Sequence, residues 1–392
     1  MGLDVGKAEA GDSFEAGKKA VEEAGGENAD LVYVFSSTDH DMEEVVAGAG
    51  DAAGDTPVIG ASSTVEIAEG AETGSVVAAG FHGVDASIGI GKGLSDHSYN
   101  AGREAIKEAF QGLEKDISPY VLRQDGTHER DVLVNIFADA LHGHGVHVLD
   151  GITDYLGHGF STAGQFAGDD LSFEHTYVFY DGEVMEDAVV CSVVDWDGKV
   201  GGDKAHGFRK TPSTYEITDA DATYLRELDG ERPLTVYSEI YGEENAQDPG
   251  FLLMTPMGID LGEEEPQLRV ALDIDEDGCF SLGAPVKENL EVHLMRAEKP
   301  RLLDAAGRAA REARENAGLE KEEVDAALVF SCAGRHAVYD DMELTREEVE
   351  RIKEEVGEDT PVVGLFAYGQ IATSNGRPRF HEETASIQVL GQ

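Results

Sequence analysis

Short, almost wholly apolar runs separated by amphipathic stretches dominate this chain, a pattern that predicts buried strands joined by helices. Leu31-Val32-Tyr33-Val34-Phe35 is one such run, and Pro57-Val58-Ile59-Gly60 is the next. Ahead of them Phe14, Gly17, Val21 and Ala24 recur at helical spacing, which predicts a helix opening near Ser13, a residue type suited to an N-cap. The alternation continues with a helix over 42–49, strands over 76–81 and 87–91, a helix over 99–110 and a strand over 132–137. Asp181-Gly182 between apolar runs predicts a hairpin joining 177–180 to 183–194. Beyond it, strands are expected over 213–217, 251–254, 269–274, 291–295, 325–332 and 385–390, with helices over 233–241 and 301–317.

The pattern repeats. Asp30 to Ser37 and then Asp55-Thr56-Pro57-Val58-Ile59-Gly60 are echoed by Asp325 to Cys332 and then Asp359-Thr360-Pro361-Val362-Val363-Gly364. Each pair follows a helical segment with one signature, Ala16-Gly17-Lys18-Lys19-Ala20 and Ala306-Gly307-Arg308-Ala309-Ala310. A third copy, Ala101-Gly102-Arg103-Glu104-Ala105, precedes the strand run Asp131 to Phe137. The period is too long for a solenoid, so duplicated helix–strand–helix–strand modules are expected. The fold class expected is α/β with mixed sheets in two domains, 1–200 and 213–392, and the polar, glycine-rich stretch 195–210 as their boundary.

Composition then changes the picture. With 79 acids against 30 Lys plus Arg, the chain carries a net charge of −49, while 41% hydrophobic content is enough for real cores. The acids are spread over many segments, among them Glu43-Glu44, Glu263 to Glu265 and Glu347-Glu348. Such a surface repels itself in dilute buffer, and in about 1 M salt the screening length falls to roughly 3 Å. A halophilic, salt-rich cytoplasm explains the acidity. Nucleic acid is not an expected partner, because phosphate contacts need a basic stripe. Cys191, Cys279 and Cys332 have no paired spacing, and no apolar run is long enough for a membrane span or a signal core.

Phe330-Ser331-Cys332-Ala333-Gly334-Arg335, Pro361-Val362-Val363-Gly364-Leu365-Phe366-Ala367-Tyr368-Gly369-Gln370-Ile371 and Phe380-His381-Glu382-Glu383-Thr384 together resemble the FIST domain family. The resemblance extends more diffusely over the N-terminal half, through the strands near 31–35 and 57–60 and the hairpin at Asp181-Gly182. Two positions depart from the family pattern: Gln370 stands where Glu is usual, and Glu382 where Asn is usual. The resemblance implies a cytoplasmic signal-transduction sensor of small metabolites such as amino acids. Because the chain ends soon after Leu390, its signal is expected to pass to a separate output protein.

Cys332, Arg335 and His336 lie just past a predicted buried strand, where α/β proteins commonly place a cleft. Arg335 is suited to a carboxylate, through two parallel hydrogen bonds. Tyr368, Gln370 and His381 are expected on the same side, Tyr368 as a wall and a hydroxyl and Gln370 as an amide. The bland alternative pairs Arg335 with Asp340 or Asp341 and makes Cys332 a core residue. An enzyme using Cys332 with His336 or His381 would need a thiolate and a hydrogen-bonded base, and a scaffold without ligand is a third class. His142, His144, His147, His158 and His175 are read as loop histidines and not as a metal site. Asp273 to Gly278 imitates a calcium loop but lacks its closing Glu, so Asp277-Gly278 is expected to be a hairpin turn. Gly89-Ile90-Gly91-Lys92-Gly93 matches no nucleotide motif, and no cofactor or metal is expected.

Overall fold

The computed structural model describes residues 1–9, 11–114, 131–157, 159–262, 265–374 and 376–392. The fold is mixed α/β with mixed sheets, and the repeat is threefold. The first module runs Gly2–Ala8, helix Ser13–Glu23, Leu31–Ser37, helix Met42–Ala53, Val58–Ser63 and Val76–His82. The second runs Asp85–Lys92, helix Leu94–Gly112, Asp131–Ala138, helix Gly145–Leu156, Ser161–Phe166 and Ala188–Trp196. The third runs Lys199–Ala205, helix Lys299–Ala317, Val324–Cys332, helix Met342–Val356, Val362–Ser374 and Ala385–Gly391. In each, the four strands lie in the sheet order first, fourth, second, third. The second and third are parallel and need the helix between them as a crossover; the other two pairings are antiparallel.

The shared register shows why glycine recurs. Gly60 lies opposite Val34, Gly164 opposite Ile136 and Gly364 opposite Val329. A Cβ at these three positions would come within 1.7, 2.2 and 1.9 Å of the facing carbonyl oxygen. One residue beyond the facing position stand Phe35, Phe137 and Phe330, all fully buried. Their rings meet in one core, with centroids 5.3 Å apart for the first pair and 6.0 Å for the second. The Ala-Gly helix signature has the same origin: Gly17 and Gly102 let a neighbouring helix approach so closely that a Cβ would sit 2.1 and 2.2 Å from Val45 and Val148 carbonyl oxygens. Beside the rings, Tyr33 donates to Asn135 (3.0 Å), Asn135 to Gln388 (2.9 Å) and Gln388 to Ser161 (2.8 Å), so the shared centre carries a satisfied polar chain.

The second and third modules share one eleven-stranded sheet, because Val362–Ser374 pairs with Ser161–Phe166. The same long strand pairs with Val65–Ala68 of the first module, and the hairpin Val178–Tyr180/Glu183–Met185 extends the first module's sheet. The third module is interrupted after its first strand. Residues 209–296 build a seven-stranded antiparallel sheet with its own core around Tyr237 and Phe280.

Several local expectations change. Ser13 is the first helical residue, and Asp12 is the cap, accepting from the Glu15 amide. The stretch 195–210 is not a linker, since Lys199–Ala205 pairs along its whole length with Ala385–Gly391. Residues 183–194 are two strands in two sheets, Glu183–Met185 and Ala188–Trp196. Residues 251–254 are helical: Asp248 caps Pro249–Met254, and proline at the first position favours the turn. Glu348, in an acidic run expected at the surface, is fully buried. The turn at Asp277-Gly278 forms as expected, with Ala271–Ile274 antiparallel to Phe280–Leu282.

Candidate ligand-binding site

Three equivalent strand ends bring polar residues to the mouths of the modules: Ser37, Asp139 and Cys332, each three residues beyond the one facing the repeated glycine. Among the described residues, Cys332 of the third borders a partly open pocket, which Ala140 and Leu141, just past the second strand end, also line. This cavity, about 150 Å³, lies where the third module meets the second and the inserted sheet. Phe166, Tyr368 and Phe380 supply aromatic walls, and Val270, Leu272 and Pro285 close it from the inserted sheet. A wider polar groove of about 490 Å³ runs along Lys199–Ala205 and helix Lys299–Ala317, but there Arg308 and Glu265 pair with each other across it.

Two carboxylates reach this cavity from the turn before the last strand. Glu382 and Glu383 are 7% and 1% exposed, and Oε2 of each accepts no hydrogen bond among the described residues. Glycine makes room for both: a Cβ at Gly283 would lie 2.0 Å from Glu382 Oε1, and one at Gly334 1.8 Å from Glu383 Oε1. Burial raises both pKa values, Glu382 to about 7 and Glu383 to about 8. Arg269, with Nη1 4.0 Å from Glu382, opposes that rise, as Arg335 does for Glu383. Cys332 Sγ lies 3.9 Å from Glu383 Oε1, and burial, then the Glu383 charge, push the thiol far above its ordinary value.

The loop 169–175 forms one side of the mouth. Burial alone would raise the Asp169 pKa, but donors from Tyr368, Ser172 and the amides of His175 and Glu174 outweigh it and hold the carboxylate low. This fixed anion organises a backbone in which Asp170, Leu171 and Phe173 all have positive φ. It also places Phe173 flat on Tyr368, with ring centroids 4.7 Å apart and planes 7° from parallel.

Comparison with family models matches residues 30–231 to the FIST N domain and 233–373 to the FIST C domain. The chain belongs to the FIST family. A comparison with curated proteins finds no match. Among solved structures, this FIST protein is similar to a cyanuric acid hydrolase described as an evolutionary innovation by structural concatenation, at TM-score 0.40 and 10% identity, covering 100% of this chain and 99% of that one. It is similar also to the cyanuric acid hydrolase of A. caulinodans, at TM-score 0.37 and 9% identity, covering 100% and 99%.

Of the FIST protein's six sequence-selected site residues, Cys332 and Tyr368 line the cavity. Arg335 does not. Its five N–H groups are taken by Glu348, Leu302, His206 and Glu383, the last three through main-chain carbonyls, so no donor remains for a ligand carboxylate. The pairing acid is Glu348 and neither Asp340 nor Asp341. His336 bonds Thr345 through Nδ1 at 2.7 Å. Gln370 is buried and accepts from Thr384 Oγ1 at 3.2 Å, positioning the turn that carries Glu383. His381 is buried, its Nε2 without a hydrogen bond, and burial drives its pKa well down. Neither histidine is paired with Cys332.

Sequence reasoning marked Glu382 only as a departure from the family pattern and passed over Glu383. The available signal was two adjacent acids beside an apolar final strand, a costly placement unless a function requires it.

His142 pairs with Asp139 and His175 with Glu186, while His158 lies outside the described residues. Among the described residues no group of three or more His, Cys, Asp or Glu is arranged to hold a metal, and no helix is long and apolar enough to cross a membrane.

Proposed function

We propose that this FIST protein is a cytoplasmic sensor whose small-molecule ligand occupies the cavity between the third module and the inserted sheet. The observation that carries this reading is the pair of buried glutamates, Glu382 and Glu383, that line an aromatic-walled pocket, each with one oxygen that accepts no hydrogen bond among the described residues. Ligand contact with both bodies would fix the inserted sheet against the modules, and that fixed arrangement is what a separate output protein would read. The net charge of −49 suits a salt-rich cytoplasm, so the unfolding midpoint should rise steadily between about 0.1 and 3 M KCl as repulsion is screened.

The test is a thermal-shift screen of amino acids, amines and small carboxylates in molar KCl, repeated on Leu272→Trp. Leu272 lines the mouth and is 48% exposed, so the larger ring blocks entry without disturbing the core. A ligand at 100 times its dissociation constant adds about 2.7 kcal/mol to the wild type. A hit that survives in Leu272→Trp would place the ligand elsewhere, and silence across the screen would sink the sensor reading.

A nucleophilic role for Cys332 is the second reading, favoured only by its place on the cavity wall. It requires a thiolate, which burial and the neighbouring Glu383 oppose. Rapid, selective alkylation of Cys332 at neutral pH, ahead of buried Cys191 and Cys279, is the result that would support it.

A further inference from the structure

The charges around the cavity do not balance. Arg335 is committed to Glu348 by bonds of 3.1 and 2.8 Å in full burial. Arg269 faces Glu382 at 4.0 Å, but its Nε and Nη1 donate to the main-chain carbonyls of Pro285 and Leu268. Glu383 is left with a weak thiol donor at 3.9 Å on one oxygen and nothing on the other. Three carboxylates (Glu348, Glu382, Glu383) therefore stand against two guanidinium groups.

Resting on the sensor reading above, we propose that the ligand is a compact organic cation, a protonated amine with a body no larger than one ring. Its ammonium sits between the Glu382 and Glu383 carboxylates, and its apolar body lies against Phe166, Tyr368 and Phe380.

Three properties of the space support this class. An ammonium has three donors, and Glu382 and Glu383 both line the cavity, each with one oxygen that accepts no hydrogen bond among the described residues. Aromatic faces attract a desolvated cation, which neither an anion nor a neutral alcohol exploits. The volume, about 150 Å³, is that of an apolar protein cavity known to admit benzene. A ligand carboxylate finds the opposite: Arg335 has no free N–H, and the two glutamates repel it.

Without ligand the missing positive charge is supplied by a proton. The raised pKa values of Glu382 and Glu383, about 7 and about 8, mean that near neutral pH the pair holds at least one. The incoming ammonium replaces that proton, which leaves to solvent. Of the other groups near the pair, Glu348 is bonded to Arg335, the Cys332 thiol stays protonated, and Tyr368 donates to Asp169; burial, reinforced by Lys204, Arg269, His206 and Arg379, disfavours the charged form of the adjacent His381, and His144 also lines the cavity.

The test is calorimetry at pH 7 with three matched series, cyclohexylamine and benzylamine, the corresponding alcohols, and the corresponding carboxylates. Each is run in two buffers of different ionisation enthalpy, on wild type, Glu382→Gln and Glu383→Gln. The amines should bind at least tenfold more tightly than the alcohols, release close to one proton, and weaken at least tenfold in either Gln variant. Carboxylates should not bind. Equal binding of alcohol and amine, tighter binding of carboxylate, or absence of proton release would overturn the cation assignment. If alcohol or carboxylate binds and Leu272→Trp abolishes it, the cavity is still a ligand site and only the cation class is lost. If nothing in any series binds the wild type, the cation assignment fails, and the sensor reading then stands or falls on the wider screen.

Discussion

Arg335 and Glu348 meet in complete burial, Nη2 to Oε2 at 2.8 Å, with Ser331 and Tyr339 donating to the same carboxylate. The pair joins the short helix Ala333–Tyr339 to the helix Met342–Val356. Through carbonyls of Leu302, His206 and Glu383, it also joins them to helix Lys299–Ala317, the first strand's end and the cavity turn. Arg335 thus holds the turn that carries Glu383, with its N–H groups committed inside the protein.

Removing one partner leaves a buried charge uncompensated, which costs about 3–5 kcal/mol. Arg335→Ala and Glu348→Ala should each lower stability by that amount in urea titrations at high KCl. A joint Arg335→Met/Glu348→Leu replacement should cost clearly less than the sum of the two singles. Additive losses would show that the two residues act separately.

Stability should also fall as pH rises from about 4.5 to about 8. Glu66, Glu382 and Glu383 are held at about 7, 7 and 8 against an ordinary 4.5, in each case chiefly by burial. The folded state therefore keeps protons that the unfolded chain has shed. Their stabilisation is complete below about pH 4.5 and is lost as pH rises through 7 and 8. The summed loss is on the order of 10 kcal/mol by about pH 9. Glu383→Gln should flatten this limb between about pH 4.5 and 8, and an unchanged limb in that variant would mean that the carboxyl titrates normally.

The repeat was legible because strands need apolar runs and close backbone approach needs glycine: Gly60 and Gly364 sit at the same place in matching runs. The hairpin at Asp181-Gly182 was legible for the same local reason. The site was less so. Glu348 reads as one more acid in Glu347-Glu348-Val349-Glu350, and only its spacing from Thr345 and Ile352 puts it on the buried face. Arg335 looked free because its partner lies on another helix and three of its acceptors are carbonyls, which no side-chain pattern records. Residues 209–296 hid their role because a cavity wall such as Leu272 or Pro285 is defined by how two bodies meet.

The glycine argument has a direct check within one helix. A Cβ at Gly48 would fall 1.9 Å from the Phe14 carbonyl oxygen, whereas Gly50 has nothing within 4 Å. Gly48→Ala should push helices Ser13–Glu23 and Met42–Ala53 apart at a cost of about 1–3 kcal/mol. Gly50→Ala should stabilise by up to about 1 kcal/mol, from helix propensity and a less flexible unfolded chain. Thermal midpoints moving the same way in both variants would contradict the close approach.

Tyr368 ties the loop at the mouth to the cavity wall, and its removal should separate order from stability. Tyr368→Phe keeps the ring that stacks on Phe173 but deletes the donor to Asp169. A hydrogen bond to a charged acceptor is worth about 1.5–3 kcal/mol, and Asp169 is buried. Asp169 keeps its bonds from Ser172 and three amides, so the loop should loosen without unfolding. Amide exchange over 169–175 should quicken about tenfold, while the strands Val324–Cys332 and Ala385–Gly391 keep their protection. Ligand affinity should fall with it, because a looser loop must be ordered again on binding. Exchange confined to wild-type rates would show that the amide bonds alone hold the loop, and that Tyr368 serves the site as a wall and nothing more.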